Sequence, residues 1–146
     1  MEACRFCSIS QHKLDAAIVF EDESVIAFMD KYPLVDGHLL VVPKKHFESF
    51  IDLDHESAFD LVKVIGKLEK ALMDGVGCEG VDLRQHFRPF LPESTLVLRH
   101  LHLHLVPRRM GDDLYDKALK HEGSLRREPS LVELTSLASK IKARIR

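Results

Sequence analysis

Three histidines recur at strict two-residue spacing in Arg99-His-Leu-His-Leu-His-Leu-Val-Pro-Arg108. In an extended strand, side chains at i, i+2 and i+4 share a face, so His100, His102 and His104 are expected as a row of imidazoles about 6.5–7 Å apart. Leu101, Leu103 and Leu105 then face the other way and pack on a core, which turns the histidine face toward a cleft or a ligand. A face of imidazoles is poor packing material. It can bind a transition metal, or act on a phosphate with one neutral ring as nucleophile and its neighbours as proton donors and anchors.

A second chemical signal is Cys4-Arg-Phe-Cys7, whose spacing lets two thiolates hold one Zn2+. Two ligands do not close a site. His46, in Pro43-Lys-Lys-His46, and one of the triad histidines would complete a Cys2His2 tetrahedron; the competing reading is a pair of ordinary thiols near the start of the chain. Cys78 has no partner at metal spacing and reads as a small structural residue or an incidental exposed thiol.

Composition bounds the rest. With 146 residues and 45% hydrophobic content, the chain can bury a core of its own, so residues 1–146 are expected to form a single domain. A net charge of -2 gives no reason to expect nucleic-acid or membrane binding, and any anion site must be local. No apolar run approaches the ~18–20 residues that span a bilayer, and the first residues lack a signal peptide's apolar core. The protein is therefore expected in the cytoplasm. There a close cysteine pair is better explained by a metal than by a disulfide.

The elements that must position these residues follow from pattern. Ala17–Phe20 and Ser24–Phe28 read as strands around an acidic turn, and His38–Pro43 as a third strand after a loop punctuated by Pro33 and Gly37. From Asp54 to Asp74, Ala58, Leu61, Val62, Ile65, Leu68 and Leu72 recur at helical spacing, which predicts one long amphipathic helix ending near Gly75 and Gly77. Val81–Gln85 reads as a fourth strand and Thr95–Val106 as a fifth, with a loop over Phe87–Ser94 between them. Ser130 and Glu133 form a capping-box pattern ahead of Leu131, Leu134, Ala138, Ile141 and Ile145, which predicts a last helix over about 131–145. The charged stretch from Asp112 to Glu128 reads as a surface excursion or a flexible segment.

At this point the chain resembles the histidine-triad (HIT) superfamily, whose signature is His-φ-His-φ-His-φ-φ with φ hydrophobic. His100-Leu-His102-Leu-His104-Leu105-Val106 satisfies it without a mismatch. The similarity runs from Cys4 to about Arg108, leaving residues 109–146 as a C-terminal extension. It includes Phe20-Glu-Asp-Glu, Phe28-Met-Asp30-Lys-Tyr-Pro33 and Gly37-His38-Leu-Leu-Val-Val-Pro-Lys-Lys-His46, in family order. The resemblance implies an α+β HIT fold: a five-stranded antiparallel sheet, one long helix between strands and a C-terminal helix. It also implies a Hint-like homodimer in which two such sheets meet.

The resemblance assigns roles position by position. His102 is the expected nucleophile at the α-phosphate of a nucleotide derivative, forming a covalent nucleotidyl-imidazole. His104 is expected on the phosphate oxygens, and His38 matches the upstream active-site histidine. Asp30 matches the residue that receives the ribose hydroxyls, while Phe6, Phe28 and Leu40 fall where the base is held; all three apolar residues have an equally simple reading as core. In zinc-bearing relatives the first triad histidine is a ligand, which makes Cys4, Cys7, His46 and His100 the set for one structural Zn2+ per chain.

One departure bears on substrate. Common HIT proteins carry an Asn-Gly stretch and a Gly-Gln pair before the triad, whereas this chain has the longer, glycine-free Arg84-Gln-His-Phe-Arg-Pro-Phe-Leu-Pro-Glu-Ser-Thr95. Side chains then become the candidates for phosphate contact, among Arg84, Gln85, His86, Arg88, Ser94 and Arg99, against the reading that these are solvated loop residues. Three functions stay open. The leading one is a nucleotide phosphohydrolase or nucleotidyl transferase acting on a dinucleoside polyphosphate, a nucleoside phosphoramidate or a similar small molecule. The alternatives are a nucleotide-binding regulatory module with little catalysis, and a transition-metal site on the histidine row with no nucleotide. A nucleic-acid partner ranks low, because no interleaved aromatic and basic residues supply a footprint.

Overall fold

The alternating apolar segments pair into one five-stranded, wholly antiparallel sheet in the order β1-β2-β3-β5-β4. Its strands are β1 (Ile18–Glu21), β2 (Val25–Met29), β3 (Leu39–Pro43), β4 (Gly80–Arg84) and β5 (Leu103–Arg108). The helices are α1 (Arg5–Ser10), α2 (His55–Val76), α3 (Lys120–Ser124), which follows a π-helical turn at Tyr115–Leu119, and α4 (Leu131–Lys142). The computed structural model describes residues 4–94 and 97–145. Residue contacts divide the chain into two units, one ending at Met110 and one beginning at Gly111.

Each face of the sheet carries its own core. Val25, Ala27, Leu39, Val41, Leu103 and Leu105 point to one face and meet Leu61, Val64, Ile65, Leu68 and Leu72 of α2. Ile26, Phe28, Leu40 and Val42 point to the other and meet Phe6 and Ile9 of α1. This is the period-two alternation expected of strands covered on both sides. Cross-strand register then sets Phe28 beside Leu40 and Leu40 beside His104, one row on the α1 face.

α2 starts where Asp54 accepts a bond from the Ser57 amide at 2.8 Å, and it stops at Gly77, whose φ of 64° no helix can continue. Its buried stripe differs from the sequence reading at two positions, Ala58 being half-buried and Val62 exposed. Val62 is 70% exposed and Val64 takes its place, because a residue next to Leu61 lies 100° around the helix from it.

The predicted fifth strand is shorter than expected at its start, and Thr95 lies outside the described residues. Ladder pairing begins only at Leu103. Continuing the β3–β5 register would set Pro43 opposite Leu101, and proline has no amide to donate. The Leu101 amide instead bonds the Phe47 carbonyl at 2.6 Å. Side-chain alternation survives without the ladder, since Leu101 joins the α2-side core with Leu103 and Leu105.

Two helical segments were not expected. α1 is too short for periodicity to reveal, and residues 112–128, read as an excursion, contain the π-turn and α3. α4 begins with the expected capping box between Ser130 and Glu133 but ends at Lys142, before Ile145. None of its apolar residues is buried.

Gly37 immediately precedes His38, has φ +88°, and an added Cβ would sit 3.1 Å from Pro107 Cγ of β5. Both the backbone region and the contact disfavour a side chain, so Gly37→Ala should lower unfolding stability by about 1–3 kcal/mol. Urea titration would register this, and an unchanged midpoint would show that the loop relaxes freely.

Candidate active site and metal centre

The α1 face of the sheet holds two clusters joined through the histidine run. The first is a cleft of about 450 Å³ lined by Phe6, Ile9, Phe28, Leu40 and Leu98 on its apolar side and by Asp30, His102 and His104 on its polar side. Its size and mixed lining suit a small organic ligand with a few fixed polar groups. The second cluster brings together Cys4, Cys7, His46 and His100, whose donor atoms all lie within 4.8 Å of one another. Among the described residues no metal-ligand group gathers all three triad histidines; a second group, Asp30, His38 and His104, includes one of them.

Hydrogen bonds settle which nitrogen of each ring is free. His102 Nδ1–H donates to the His100 carbonyl at 2.7 Å, so its lone pair is on Nε2. The Leu34 amide donates to His38 Nδ1 at 3.1 Å, which puts the His38 proton on Nε2. That proton is donated to His104 Nδ1 at 2.9 Å, and the His104 proton is therefore on Nε2. His104 Nε2 is buried without a hydrogen-bond partner among the described residues. A buried unpaired donor carries a desolvation cost that an anionic oxygen would relieve. Asp30 Oδ2 lies 3.6 Å from His38 Nε2 and 4.0 Å from His104 Nδ1, and Asp30 Oδ1 accepts from the Tyr32 amide at 2.9 Å.

Burial keeps the cleft imidazoles neutral. It pushes His104 down to about 3, with His102, His38, His86 and Arg84 adding repulsion. His102 is also lowered by burial, against the opposing pull of the His100 carbonyl and the Asp30 charge. His38 is lowered by burial and further by Arg84, with Asp30 working the other way.

In the second cluster, His100 Nε2–H donates to the Pro43 carbonyl at 2.9 Å, which leaves Nδ1 to face both sulfurs, 3.3 Å from Cys4 and 3.5 Å from Cys7. His46 Nδ1 lies 3.4 Å from the Cys7 sulfur. A ligand imidazole anchored through its other nitrogen is the usual support of a metal-binding histidine. Burial and the neighbouring Cys4 push the Cys7 thiol up to about 11, while burial pushes His100 down to about 4. Two soft sulfurs and two imidazoles at these separations fit a tetrahedral cation such as zinc.

The HIT domain profile matches residues 11–111. The chain belongs to the HIT family. An uncharacterized HIT-like protein of Methanocaldococcus jannaschii is 34% identical over 109 residues, covering 75% of this chain and 81% of the relative. Among solved structures, SMU.412c of Streptococcus mutans UA159 matches with a TM-score of 0.83 at 29% identity, over 100% of this chain and 87% of that one. A hypothetical histidine triad nucleotide-binding protein of Sulfolobus tokodaii strain7 is 37% identical, with a TM-score of 0.67 over 75% and 71% of the two chains. A zinc-bound histidine triad family protein of Mycobacterium smegmatis matches at 29% identity and TM-score 0.68, over 97% and 98%.

The HIT triad is split between the two clusters: His102 and His104 line the cleft, and His100 is turned to the cysteines. His38, Asp30, Phe6, Phe28 and Leu40 come together at the cleft. Three of the loop candidates for phosphate contact are bonded to other groups or lie outside its lining. Arg84 is held with Arg108 on Asp82 Oδ2, each at 2.7 Å, so its guanidinium is committed within the β4–β5 pair. Ser94 caps its own turn by accepting from the Val97 amide at 3.2 Å. Gln85 is absent from the lining of the cleft and of the smaller hollow beside His102. Ile9 and Leu98 were missed as cleft walls. Leu98 shares the parity of the histidines, so alternation carried a signal for it; Ile9 depends on the unexpected α1.

Acid should destabilise the fold through His104. It is held to about 3, below the value near 6.5 of an unfolded chain, so the unfolded state takes up protons first. Its contribution is complete above about pH 6.5 and declines as pH falls toward 3, costing about 2 kcal/mol by pH 5. Urea unfolding at pH 7.5 and pH 5 measures this. Equal stabilities would contradict it.

Proposed function

We propose that this chain is a nucleotide phosphohydrolase or nucleotidyl transferase that acts at an α-phosphate through a covalent nucleotidyl-His102. The observation that carries the reading is the bond from His102 Nδ1–H to the His100 carbonyl, which fixes Nε2 as the basic nitrogen of a neutral ring in the wall of a nucleotide-sized cleft. The base lies among Phe6, Phe28 and Leu40, and the ribose hydroxyls donate to Asp30. His102 Nε2 attacks phosphorus, an N–P bond forms, and the bond to the leaving group breaks. His104 Nε2–H, unpartnered beforehand, donates to a non-bridging oxygen as charge develops there. His38 holds His104 in the required tautomer. Water or another acceptor then attacks phosphorus, breaks the N–P bond and regenerates His102.

Cys4, Cys7, His46 and His100 are the residues that would hold zinc. Four protein donors leave no open position, so the ion supplies structure rather than an activated water. The chain then gains a tie between α1 and the segment carrying His102. Phe6 lies between the two cysteines and packs edge-on against His102 with centroids 5.2 Å apart, so the same tie sets the wall of the cleft. A homodimer would join sheets at β4, which is an edge strand with Leu83 half exposed.

The test is intact-protein mass spectrometry after brief acid-free quenching with adenylyl and guanylyl substrates. A nucleotide-sized mass gain in the wild type, absent from His102→Ala, is the expected result. Turnover without any adduct would overturn the covalent route.

A further inference from the structure

His102 and Leu98 are the two residues common to the cleft and to a second, smaller hollow. The cleft wall is mainly apolar and its formal charges balance, Asp15 and Asp30 against Arg5 and Lys31. The hollow is bounded by the loop after β4 and is lined by His86, Arg88 and Arg99, with Glu48 the single carboxylate in its wall. Two guanidiniums against one carboxylate leave it positive. Arg84 and Arg108 share the Asp82 carboxylate, whereas no ion pair engages Arg88 or Arg99 among the described residues. The His86 ring lies 5.1 Å from that of His104, so polar groups continue from the imidazole pair toward the arginines.

A phosphorus atom attacked by His102 keeps its nucleoside and loses one other substituent. With the nucleoside in the cleft, that substituent meets the positive hollow beside His102, whose volume of about 30 Å³ takes its nearest phosphate oxygens and leaves the remainder in solvent. We propose that Arg88 and Arg99, with His86 between them and the imidazole pair, bind an anionic leaving group, which makes the substrate a nucleotide whose phosphate chain continues beyond the α-phosphate. This rests on the reading of His102 given above and narrows it. Dinucleoside polyphosphates and nucleotide sugars share this chemistry, since both release a phosphate-terminated group. Nucleoside phosphoramidates of neutral amines do not.

The balance of the step agrees with that choice. The His102 Nε2–P bond forms as the bond from the α-phosphorus to the bridging oxygen breaks, and the electron pair departs on that oxygen. The product is a phosphate anion that the guanidiniums pair directly, so the leaving group needs no proton at departure. An amine would need one. Arginine's paired donors replace the backbone amides that a glycine-rich approach would have offered, which accounts for a glycine-free loop here.

Two measurements decide the proposal, with Arg88→Ala/Arg99→Ala as the variant. In the first, kcat/KM is measured for diadenosine triphosphate and for an adenosine 5′-phosphoramidate of tryptamine. The ratio of the two should fall at least tenfold in the variant, and an unchanged ratio would overturn the proposal even if both rates dropped. In the second, calorimetry compares adenosine mono- and triphosphate binding in a His102→Ala background, where no turnover intervenes. The triphosphate should bind at least fivefold more tightly, and the double arginine variant should erase the difference. Equal affinities with the arginines intact, or a preference that survives their removal, would overturn it. A wild type that turns over neither substrate defeats the catalytic reading, and the binding comparison still decides the role of the arginines. Both arginines are exposed, and thermal melts of the variant identify any loss of folding.

Discussion

His102→Ala should bind nucleotide within about tenfold of the wild type while its kcat/KM falls by at least ~10³-fold. The asymmetry has a structural reason. On the proposed reading the nucleoside would rest on Phe6, Phe28, Leu40 and Asp30, all of which the substitution leaves in place, although Phe6 loses its edge contact with the imidazole. Nε2 contributes mainly as the N–P bond forms, so its removal costs the transition state far more than the ground state. Steady-state kinetics alongside calorimetric nucleotide binding separates the two terms. Retained turnover would refute the assignment of the nucleophile. Tight binding with no turnover even in the wild type would favour a regulatory nucleotide-binding module instead.

Cys4→Ala should empty the metal site and lower the melting temperature by ~10 °C or more, as expected when about 3 kcal/mol is lost from a small domain. Removing one sulfur leaves Cys7, His46 and His100 with one donor too few for a closed tetrahedron. Stability should suffer more than chemistry, because His102 keeps its bond to the His100 carbonyl through backbone rather than through the metal-facing side chain. Nucleotide affinity should weaken several-fold, because α1 presents Phe6 and Ile9 to the cleft and a metal on its cysteines would tie it down. Elemental analysis of protein purified without added metal checks the ligand assignment. One zinc per chain in the wild type and unchanged zinc in Cys4→Ala would overturn it.

The neutral imidazoles connect the acid sensitivity of the fold with the proposed reaction. The shift of His104 to about 3 comes first from burial, and His104 Nε2 is itself buried without a partner among the described residues. A donor held in that state costs the protein stability and, on the proposed reading, would stabilise charge in the transition state. The acid sensitivity expected of the fold and the charge stabilisation expected in the reaction thus have one physical origin.

Much of this was legible in the residues. Strict alternation through 100–105 determined that the leucines and histidines occupy opposite faces, because side-chain direction follows chain parity even where ladder pairing has not begun. The apolar stripe of α2, the Asp54 start and the Gly77 stop are local properties, readable from spacing and from the few residue types that cap helices. The fold class and the Cys4, Cys7, His46, His100 set were implied by the resemblance to the HIT family rather than by the residues alone. What the residues alone left open was decided by contacts between distant segments. Whether Arg84 meets a ligand or Asp82 depends on the β4–β5 register, and both choices satisfy a guanidinium equally well in sequence. α1 is six residues long, too short for periodicity to reveal, and it exists where Phe6 and Ile9 find a sheet face to cover. Most decisively, three identical imidazoles at even spacing carry no mark of which will face sulfur and which a cleft. The contacts of Pro43 accompany that division: the ladder stops short of it and its carbonyl takes the His100 proton, so that one ring turns to the cysteines while the other two line the cleft.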